Sequence, residues 1–253
     1  MTRILVTGAA TGLGRLLAFS LARRGHDVHA GVEVTSQIGA LRREADSLGL
    51  SLQVSRLDIT SPRDRAYALN SDFDILVNNA GVGQGGSLAD MPEEVLREQY
   101  EVNLFATVAL TREYLHLRKN QGATRVVFIS SIAGVLTLPF AGAYCGSKHA
   151  LEAVAQSMHQ EFSERDVTIA TINPGPYRTG FNDLIMEGPR YWQGKTDLFD
   201  YSDLKFDMPQ YRDDQDIEGM ADVVLDPSSR FRNVFPRDIE QKIREQEAEV
   251  WNW

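Results

Sequence analysis

A regular alternation of short apolar runs and longer helical patterns constrains the fold of this chain more than any other feature. Short runs rich in branched apolar residues predict buried strands, and apolar residues at three- and four-residue spacing predict the helices that cover them. The predicted strands lie near residues 4–7, 28–32, 52–57, 75–78, 126–130, 168–172 and 233–235. The predicted helices lie near residues 13–24, 36–48, 62–70, 93–119, 145–164, 215–225 and 237–250. This order favours an α/β fold, with a doubly wound parallel sheet of about seven strands and helices on both faces.

The chain shows no internal repeat, low-complexity tract or linker before residue 180, so we predict a single domain over residues 1–253. Residues 181–214 are the exception, because aromatic and acidic residues mix there without a clear period. The aromatic residues are Phe181, Tyr191, Trp192, Phe199, Tyr201, Phe206 and Tyr211. A patternless segment of this length is usually either functional or disordered, and we expect a lid over a site. Its aromatic side chains either form a pocket for a ring or an apolar chain, or pack the lid against the body.

Charge and composition exclude several classes of function. The net charge of −9 argues against a surface for nucleic acid or an anionic membrane, because phosphate groups require clustered Lys and Arg. No apolar stretch is long enough to span a membrane or to form a signal-peptide core, so we expect a soluble, cytoplasmic protein. The single cysteine, Cys145, agrees with a reducing compartment, and the five histidines show no metal-ligand spacing. We therefore expect neither a metal site nor a nucleic-acid partner.

A glycine-rich turn, TGAATGLG at residues 7–14, joins the first predicted strand to the first predicted helix. Gly8, Gly12 and Gly14 let the main chain turn tightly and approach a pyrophosphate, whose charge is favoured at a helix N-terminus. A glycine cluster alone is weak evidence, but its position between a strand and a helix predicts a dinucleotide site.

Glu33, at the end of the second predicted strand, bears on which dinucleotide binds. Its carboxylate can accept hydrogen bonds from the ribose hydroxyls of NAD and would repel the extra phosphate of NADP. Neither Glu33 nor Thr11 supplies the positive charge that this phosphate prefers. NAD is therefore favoured. NADP stays open, because Glu33 lies one position beyond the usual acidic site and could point to solvent.

Ser131, Tyr144 and Lys148 follow one another at offsets of thirteen and four residues. If the segment from Tyr144 is helical, the phenol and the ammonium share one face, one turn apart. A free tyrosine has a pKa of about 10, and a nearby cation favours the phenolate, so this pair can act as a base near neutral pH. Tyrosine and lysine four residues apart also occur on many helices by chance. The motifs around them decide between the two interpretations.

These motifs, in this order, resemble the short-chain dehydrogenase/reductase family in its single-domain branch, over residues 3–180. The glycine-rich turn is similar to the family's cofactor turn, and NNAG at residues 78–81 is similar to a second conserved segment of the family. The resemblance implies a Rossmann-type fold and a nicotinamide cofactor. The cofactor contacts that it implies are Gly8, Thr11, Gly12, Leu13, Gly14, Glu33, Asp58, Ile59, Asn79, Ala80, Gly81, Tyr144, Lys148, Pro174, Gly175, Tyr177 and Thr179.

The resemblance also implies an activity, which is hydride transfer between the nicotinamide cofactor and a secondary alcohol or ketone. Tyr144 would be the general acid/base, and Lys148 would lower its pKa and bind the nicotinamide ribose. Ser131 would orient the substrate oxygen, and Asn103, in a distorted turn of its helix, would hold a water in the proton relay. Two alternatives remain: an NADPH-dependent carbonyl reductase of the same fold, and a non-catalytic nucleotide-binding regulatory protein. Proteins of the last kind commonly lack the tyrosine or the lysine, and this chain has both.

The chain departs from the family pattern in its last segment, residues 226–253, which lacks a Gly-Gly-rich final strand. An acidic helix is predicted there instead, followed by Trp251 and Trp253, which could dock on a neighbouring subunit or on their own. The resemblance implies a homodimer or homotetramer, formed by the helices near residues 93–119 and 145–164 across a two-fold axis. The small-molecule substrate is not identified by any of these motifs.

Overall fold

Seven parallel strands form one sheet in the order β3-β2-β1-β4-β5-β6-β7. The structure, a computed structural model, describes residues 1–194 and 197–252. The strands are β1 (Arg3–Val6), β2 (Asp27–Val32), β3 (Gln53–Arg56), β4 (Ile75–Asn78), β5 (Thr124–Ile129), β6 (Val167–Pro174) and β7 (Arg232–Phe235). Each of the seven predicted runs forms a strand, so the predicted parallel sheet is confirmed.

Helices cover both faces of this sheet, because successive side chains of a strand point to opposite sides. Ile4 and Val6 of β1 pack with the helices of residues 12–23, 35–47 and 217–225, whereas Leu5 between them packs with those of residues 62–68, 107–117 and 142–161. The helices are α1 (Gly12–Arg23), α2 (Thr35–Ser47), α3 (Pro62–Ala68), α4 (Glu93–Tyr100), α5 (Thr107–Leu117), α6 (Gly142–Glu161), α7 (Phe181–Glu187), α8 (Ile217–Leu225) and α9 (Glu240–Glu249). The doubly wound arrangement predicted from the sequence is therefore confirmed.

The strand order reverses between β1 and β4, and ligands of open α/β sheets bind at the carboxyl ends of the strands at such a point. Thr7, directly after β1, ties the two loops together there. Its Oγ1 accepts hydrogen bonds from the main-chain N–H of Asn79 (3.0 Å) and of Ala80 (2.9 Å). The Asn79 amide donates in turn to the carbonyl oxygens of Thr7 (2.9 Å) and Gly8 (3.0 Å). The loops after β1 and β4 are thus held side by side at the mouth of the sheet.

The helix predicted over residues 93–119 is not continuous, and that prediction is wrong in its middle. A six-residue π-helical segment, Glu101–Ala106, separates α4 from α5. The Thr107 hydroxyl donates to the carbonyl oxygen of Val102 at 3.0 Å within this wider turn. The apolar spacing of a helix continues through such a turn, so the sequence pattern does not reveal it. The segment contains Asn103, whose side chain it directs into the protein.

Helix α6 begins at Gly142, three residues before the predicted start. Tyr144 therefore lies in its first turn, and Lys148 follows one turn later on the same face. The segment from Tyr144 is thus helical, as the catalytic interpretation of Tyr144 and Lys148 requires.

The lid segment, residues 181–214, contains more regular structure than the sequence pattern predicted. It begins with α7 and a 3₁₀ turn, Gly188–Tyr191, although no helix was predicted there, and residues 195 and 196 lie outside the described part of the chain. Its far end returns to the body at Tyr211, whose N–H donates to the carbonyl oxygen of Pro176 at 2.8 Å. The Tyr211 carbonyl oxygen accepts from the N–H of Arg178 at 2.9 Å. The lid is thus attached to the chain that follows β6.

The aromatic residues of the lid divide between the two roles that the sequence left open. Tyr201 is buried, its hydroxyl donates to Asp90 at 2.7 Å, and its ring packs on Trp192 with the centroids 5.5 Å apart. These two side chains hold the lid on the body. Phe181 instead lies beside Tyr144, with a centroid distance of 5.6 Å, and lines the cleft described below.

The last segment adds β7 to the edge of the sheet and ends in α9. The Arg237 guanidinium lies 4.2 Å from the centroid of the Phe235 ring, and Glu240 accepts hydrogen bonds from Arg230 and Arg244. Trp251 is largely exposed, and Trp253 lies outside the described residues. Over residues 1–194 and 197–252, no helix combines the length and the apolar character that crossing a membrane requires.

Candidate active site

A cleft of about 520 Å³ opens at the carboxyl ends of the strands. Every residue predicted to contact the cofactor lines this cleft, and so does Ser131. Residues from the loops after six strands meet there, although they lie as far apart in the chain as Gly8 and Thr179. The parallel sheet explains this convergence, because all its strands end at the same edge.

The glycine-rich turn forms one wall of the cleft with its main chain. Gly8 and Gly12 have φ values of +60° and +57°, which favour glycine, and a side chain at Gly8 would lie 2.7 Å from the main chain of Ala80. A side chain at Gly14 would overlap the amide of Asn79. The first turn of α1 carries no acidic residue. An anionic diphosphate fits this wall, since three of its residues are glycines and a helix N-terminus without acidic side chains favours negative charge.

Ser131, Tyr144 and Lys148 meet at the β5 end of the cleft. The Ser131 hydroxyl accepts a hydrogen bond from the N–H of Ala133 at 3.0 Å, which fixes the turn after β5. The Lys148 ammonium donates to the carbonyl oxygen of Ile129 at 3.1 Å and lies 5.9 Å from the centroid of the Tyr144 ring. Tyr144 and Lys148 are 8% and 4% exposed, so the phenol and the ammonium meet in a nearly dry environment.

This environment shifts the pKa of both groups towards their neutral forms. Burial raises the pKa of the Tyr144 phenol, and interaction with the Ser131 hydroxyl offsets only part of that rise. Burial lowers the pKa of Lys148 from its ordinary value of 10.5 to about 8, against the opposing charge of Glu152. Burial thus opposes the phenolate in this structure, and the lowering of the phenol pKa by Lys148 stays a prediction.

Asn103 lies behind the cleft and is not among the described residues that line it. Its side chain forms a pair of hydrogen bonds with Val82, accepting from the N–H at 2.8 Å and donating to the carbonyl oxygen at 2.9 Å. Its amide also donates to the Ser147 hydroxyl at 2.9 Å, and that hydroxyl donates to the carbonyl oxygen of Tyr144 at 2.8 Å. Asn103 thus joins the loop after β4 to helix α6. The role in a water relay stays a prediction.

At the β2 end of the cleft, Glu33 is exposed and lies next to a guanidinium group. Arg56 of β3 donates from Nε to the carbonyl oxygen of Glu33 at 3.2 Å. Its other nitrogens lie 3.9 Å from a carboxylate oxygen of Asp58 and 3.5 Å from one of Asp64. The positive charge of Arg56 is therefore shared between two carboxylates. Ile59, beside Asp58, is buried and adds an apolar wall.

The chain that follows β6 forms the opposite wall. Gly175 donates from its N–H to the carbonyl oxygen of Phe235 at 2.7 Å, and Pro174 directly before it ends the strand. The Tyr177 hydroxyl donates to Asp216 at 2.6 Å; burial and this carboxylate raise the pKa of the phenol. Thr179 faces the glycine-rich turn, since a side chain at Gly12 would lie 3.5 Å from its Cβ.

The sequence did not predict several residues that line the same cleft. They include Gln37, Val82, Glu98, Asn182 and Leu184. Gln37 and Glu98 come from helices, Val82 from the loop after β4, and Asn182 and Leu184 from the lid. None of them carries a motif that would mark it. Leu184 is exposed on its outer side, so it forms part of the rim next to Phe181.

The cleft carries no sign of a metal centre or of a cysteine nucleophile. Among the residues that the structure describes, no three His, Cys, Asp or Glu side chains are grouped so that they could hold a metal ion. Cys145, next to Tyr144, is fully buried, and burial raises the pKa of its thiol.

Comparisons with known proteins agree with this geometry. The family model described as short chain dehydrogenase matches residues 2–189. The chain is 33% identical over 182 residues to the uncharacterized oxidoreductase YusZ of Bacillus subtilis, a match that covers 69% of this chain and 65% of that protein. It is 31% identical over 186 residues to 3-ketodihydrosphingosine reductase of Bacteroides thetaiotaomicron, covering 71% of this chain and 65% of that protein. The match thus spans slightly less than two thirds of the length of these relatives.

A solved structure shows the same fold. The short-chain dehydrogenase from Sphingobium yanoikuyae in complex with NADPH superimposes with a TM-score of 0.78 at 22% identity, covering 100% of this chain and 94% of that one. The family match, the parallel sheet and the glycine-rich cleft lead to one conclusion. The chain belongs to the short-chain dehydrogenase family and has the Rossmann fold of the solved structure.

Proposed function

We propose that this protein transfers a hydride between NAD and a secondary alcohol or ketone, with Tyr144 as the general acid/base. The observation that carries the proposal is that Ser131, Tyr144 and Lys148 line the same cleft as the glycine-rich turn. All three residues that the chemistry needs are present, which disfavours the non-catalytic alternative. The relatives described above are named as oxidoreductases or reductases, which supports the same class of reaction.

The nicotinamide, when bound, accepts or supplies the hydride. In the oxidising direction, the Tyr144 phenolate removes the proton of the substrate hydroxyl; in the reducing direction, the phenol returns it to the substrate oxygen. Ser131 donates a hydrogen bond to this oxygen and so disperses its developing charge. Lys148 is mostly protonated at neutral pH, because its pKa is about 8. Its positive charge then favours the phenolate, and general acid/base help of this kind is worth roughly 10² to 10⁴ in rate.

The residues of the chain have further proposed roles. Lys148 and Tyr144 would hold the nicotinamide ribose, and Thr11, Gly12, Leu13 and Thr179 the diphosphate. Asp58, Ile59 and the segment Asn79–Gly81 would hold the adenosine half. Phe181 and Leu184 line the open side of the cleft and would contact the substrate, and their apolar character favours an alcohol with an apolar body.

A screen of secondary alcohols with NAD, and of ketones with NADH, tests the reaction class. We expect reduced nicotinamide to form from at least one apolar secondary alcohol and to be consumed by the matching ketone. Activity on an ester or phosphate substrate, with the nicotinamide bound but unchanged, would contradict the proposal.

We propose NAD as the preferred cofactor because Glu33 lies at the β2 end of the cleft. Its carboxylate would accept hydrogen bonds from the adenosine ribose and repel an added phosphate. The specific observation in favour of the alternative, an NADPH-dependent carbonyl reductase, is Arg56, which contacts the main chain of Glu33. We favour NAD because Asp58 and Asp64 share the charge of this arginine.

A fluorescence titration with NADH and NADPH tests the choice of cofactor. We expect a lower Kd for NADH in the wild-type protein. Glu33→Gln should narrow the ratio of the two Kd values by roughly fivefold, since the charged acceptor and the repulsion that it removes are together worth about 1 kcal/mol. Glu164→Gln, at an exposed site in the turn after α6, is the matched control. Tighter binding of NADPH by the wild-type protein would show that Arg56 decides instead.

We also propose that the protein is a cytoplasmic homodimer or homotetramer. Helices α4 to α6 and the π-helical segment would form the shared face. Phe105, 58% exposed, and Leu117, 52% exposed, support this, because large apolar side chains at the surface favour an interface.

A further inference from the structure

A buried carboxylate behind the cleft is not used by the mechanism described so far. Glu152 is 3% exposed, although it carries a charged group. It lies one turn after Lys148 and two turns after Tyr144, so the three side chains follow one another along one face of α6. A buried charge is retained only where partners offset its desolvation, and these partners show what Glu152 does.

Two strands supply those partners. Asn173, near the end of β6, donates to Oε1 of Glu152 at 2.6 Å. Arg232, at the start of β7, donates to Oε2 with two nitrogens, at 3.0 and 2.9 Å. The contact joins residues 80 positions apart, so no local pattern in the sequence points to it. The carboxylate is thus clamped between β6, β7 and α6.

The same network reaches the turn that carries Ser131. The Asn173 amide also donates to the carbonyl oxygen of Ser131 at 3.0 Å. Gly134, three residues later, lies directly on the Glu152 side chain, since an added Cβ would come within 2.9 Å of its Cγ. The turn therefore contacts Glu152 both through Asn173 and by direct packing.

We propose that Glu152 is a positioning residue of the active site, which fixes the Ser131 turn on α6 and sets the charge state of Lys148. Its carboxylate holds Asn173 and Arg232 in place and presents a buried negative charge on the face of α6 that carries the ammonium. The ionisable groups that define the network are Tyr144 and Lys148 on α6 and Arg232 on β7. The inference rests on the proposed function only for its effect on turnover.

The network predicts that the pKa of Lys148 shifts in opposite directions when Glu152 and when Arg232 is replaced by a neutral residue. Glu152→Gln keeps an oxygen for Asn173 but removes the negative charge, so Lys148 should lose its proton more easily. Arg232→Gln keeps the carboxylate but removes a positive charge, so Lys148 should hold its proton more tightly. A residue with a merely structural role would give no such difference in sign.

The test is a pH titration of the free protein, labelled with ¹³C at Cε of lysine. The chain has five lysines, and the signal that Lys148→Met removes identifies Lys148. We expect a midpoint near pH 8 in the wild-type protein. The midpoint should fall by about one unit in Glu152→Gln and rise in Arg232→Gln. Glu161→Gln, at the exposed end of the same helix, should leave it unchanged.

Turnover provides the second measurement. With less positive charge on Lys148, the phenolate forms at higher pH, so the acidic limb of the kcat/KM profile for alcohol oxidation should move upward in Glu152→Gln. One unit corresponds to about a tenfold loss on that limb. Midpoints of the Lys148 titration that stay unchanged, or that shift in the same direction in both variants, would overturn the proposal. If Glu152→Gln does not fold, the direction of the shift in Arg232→Gln decides the proposal. Shifted midpoints in a protein that turns over no alcohol would instead refute the proposed function alone.

Discussion

At the scale of single residues, the candidate active site combines two groups that each resist becoming charged. Tyr144 has a raised pKa and Lys148 a lowered one, both because of burial. Burying the ammonium group away from water destabilises the folded protein, although the proposed reaction needs that group. A substitution that removes the charge should therefore raise stability and lower activity. This conflict between stability and activity is measurable, because one substitution removes the charge and leaves a side chain of similar length.

Lys148→Met should therefore make the free protein more stable at pH 7 while it abolishes turnover. The folded protein binds the Lys148 proton less tightly than the unfolded chain, with a pKa of about 8 against 10.5. The buried charge therefore lowers the free energy of unfolding at pH values below about 8. This loss disappears as the pH rises from about 8 to 10.5. We expect a gain of roughly 1 to 2 kcal/mol, after loss of the hydrogen bond to Ile129.

Urea unfolding at pH 7 and at about pH 10, near the upper end of this window, measures that gain. The difference between the variant and the wild-type protein should shrink at the higher pH. Lys242→Met, on the exposed side of α9, is the control and should change stability by less than about 0.5 kcal/mol. A Lys148→Met protein that is less stable at pH 7 would contradict the pKa argument.

At the scale of elements, the apolar pattern predicted neither the regular structure within the lid nor the π-helical segment, and only the family resemblance implied a distorted turn at Asn103. The helical spacing of apolar residues continues from α4 into α5, so the wider turn at Glu101–Ala106 leaves no mark in it. The lid has no period because short turns and side-chain anchors hold it, not one long amphipathic face. Asp90 is such an anchor: it accepts from the N–H groups of Leu198 (2.8 Å) and Phe199 (3.1 Å) and from the Tyr201 hydroxyl (2.7 Å).

Asp90→Asn should loosen the lid without unfolding the body. One carboxylate oxygen becomes an amide nitrogen, which faces a donor and weakens the anchor by about 1 to 2 kcal/mol. Hydrogen exchange should quicken at Leu198 and Phe199 and stay unchanged in β4 and β5. Asp203→Asn, at an exposed site in the same lid, is the matched control. Equal exchange rates in the two variants would show that Asp90 does not anchor the segment.

At the scale of the whole molecule, most of the fold and the cofactor side of the cleft could be predicted from the sequence. Strands that are buried on both faces appear as continuous apolar runs, and a parallel sheet then brings their carboxyl ends together. Gly8 and Thr179 meet for this reason. Glu152 and Arg232 could not be paired in this way, because nothing local relates β7 to α6. A glutamate on the buried face of α6 was the only signal.

The proposed assembly makes a prediction at the same scale. Phe105 protrudes from the π-helical segment, on the face that we expect to be shared between subunits. Phe105→Glu should place a charge in that interface and shift the solution mass, measured by light scattering, towards the monomer. Tyr67→Glu, an exposed aromatic residue on α3, is the control and should leave the mass unchanged. A monomeric wild-type protein would contradict the proposal.

The most direct test of the central claim compares turnover and cofactor binding in Tyr144→Phe. The substitution removes only the hydroxyl, so the cleft keeps its shape and the glycine-rich turn keeps its contacts. The account predicts that alcohol-dependent formation of NADH falls by at least about 10². It also predicts that the Kd for NADH, from fluorescence titration of the same preparation, stays close to the wild-type value. Turnover at the wild-type rate in Tyr144→Phe would remove this residue from the chemistry and contradict the account.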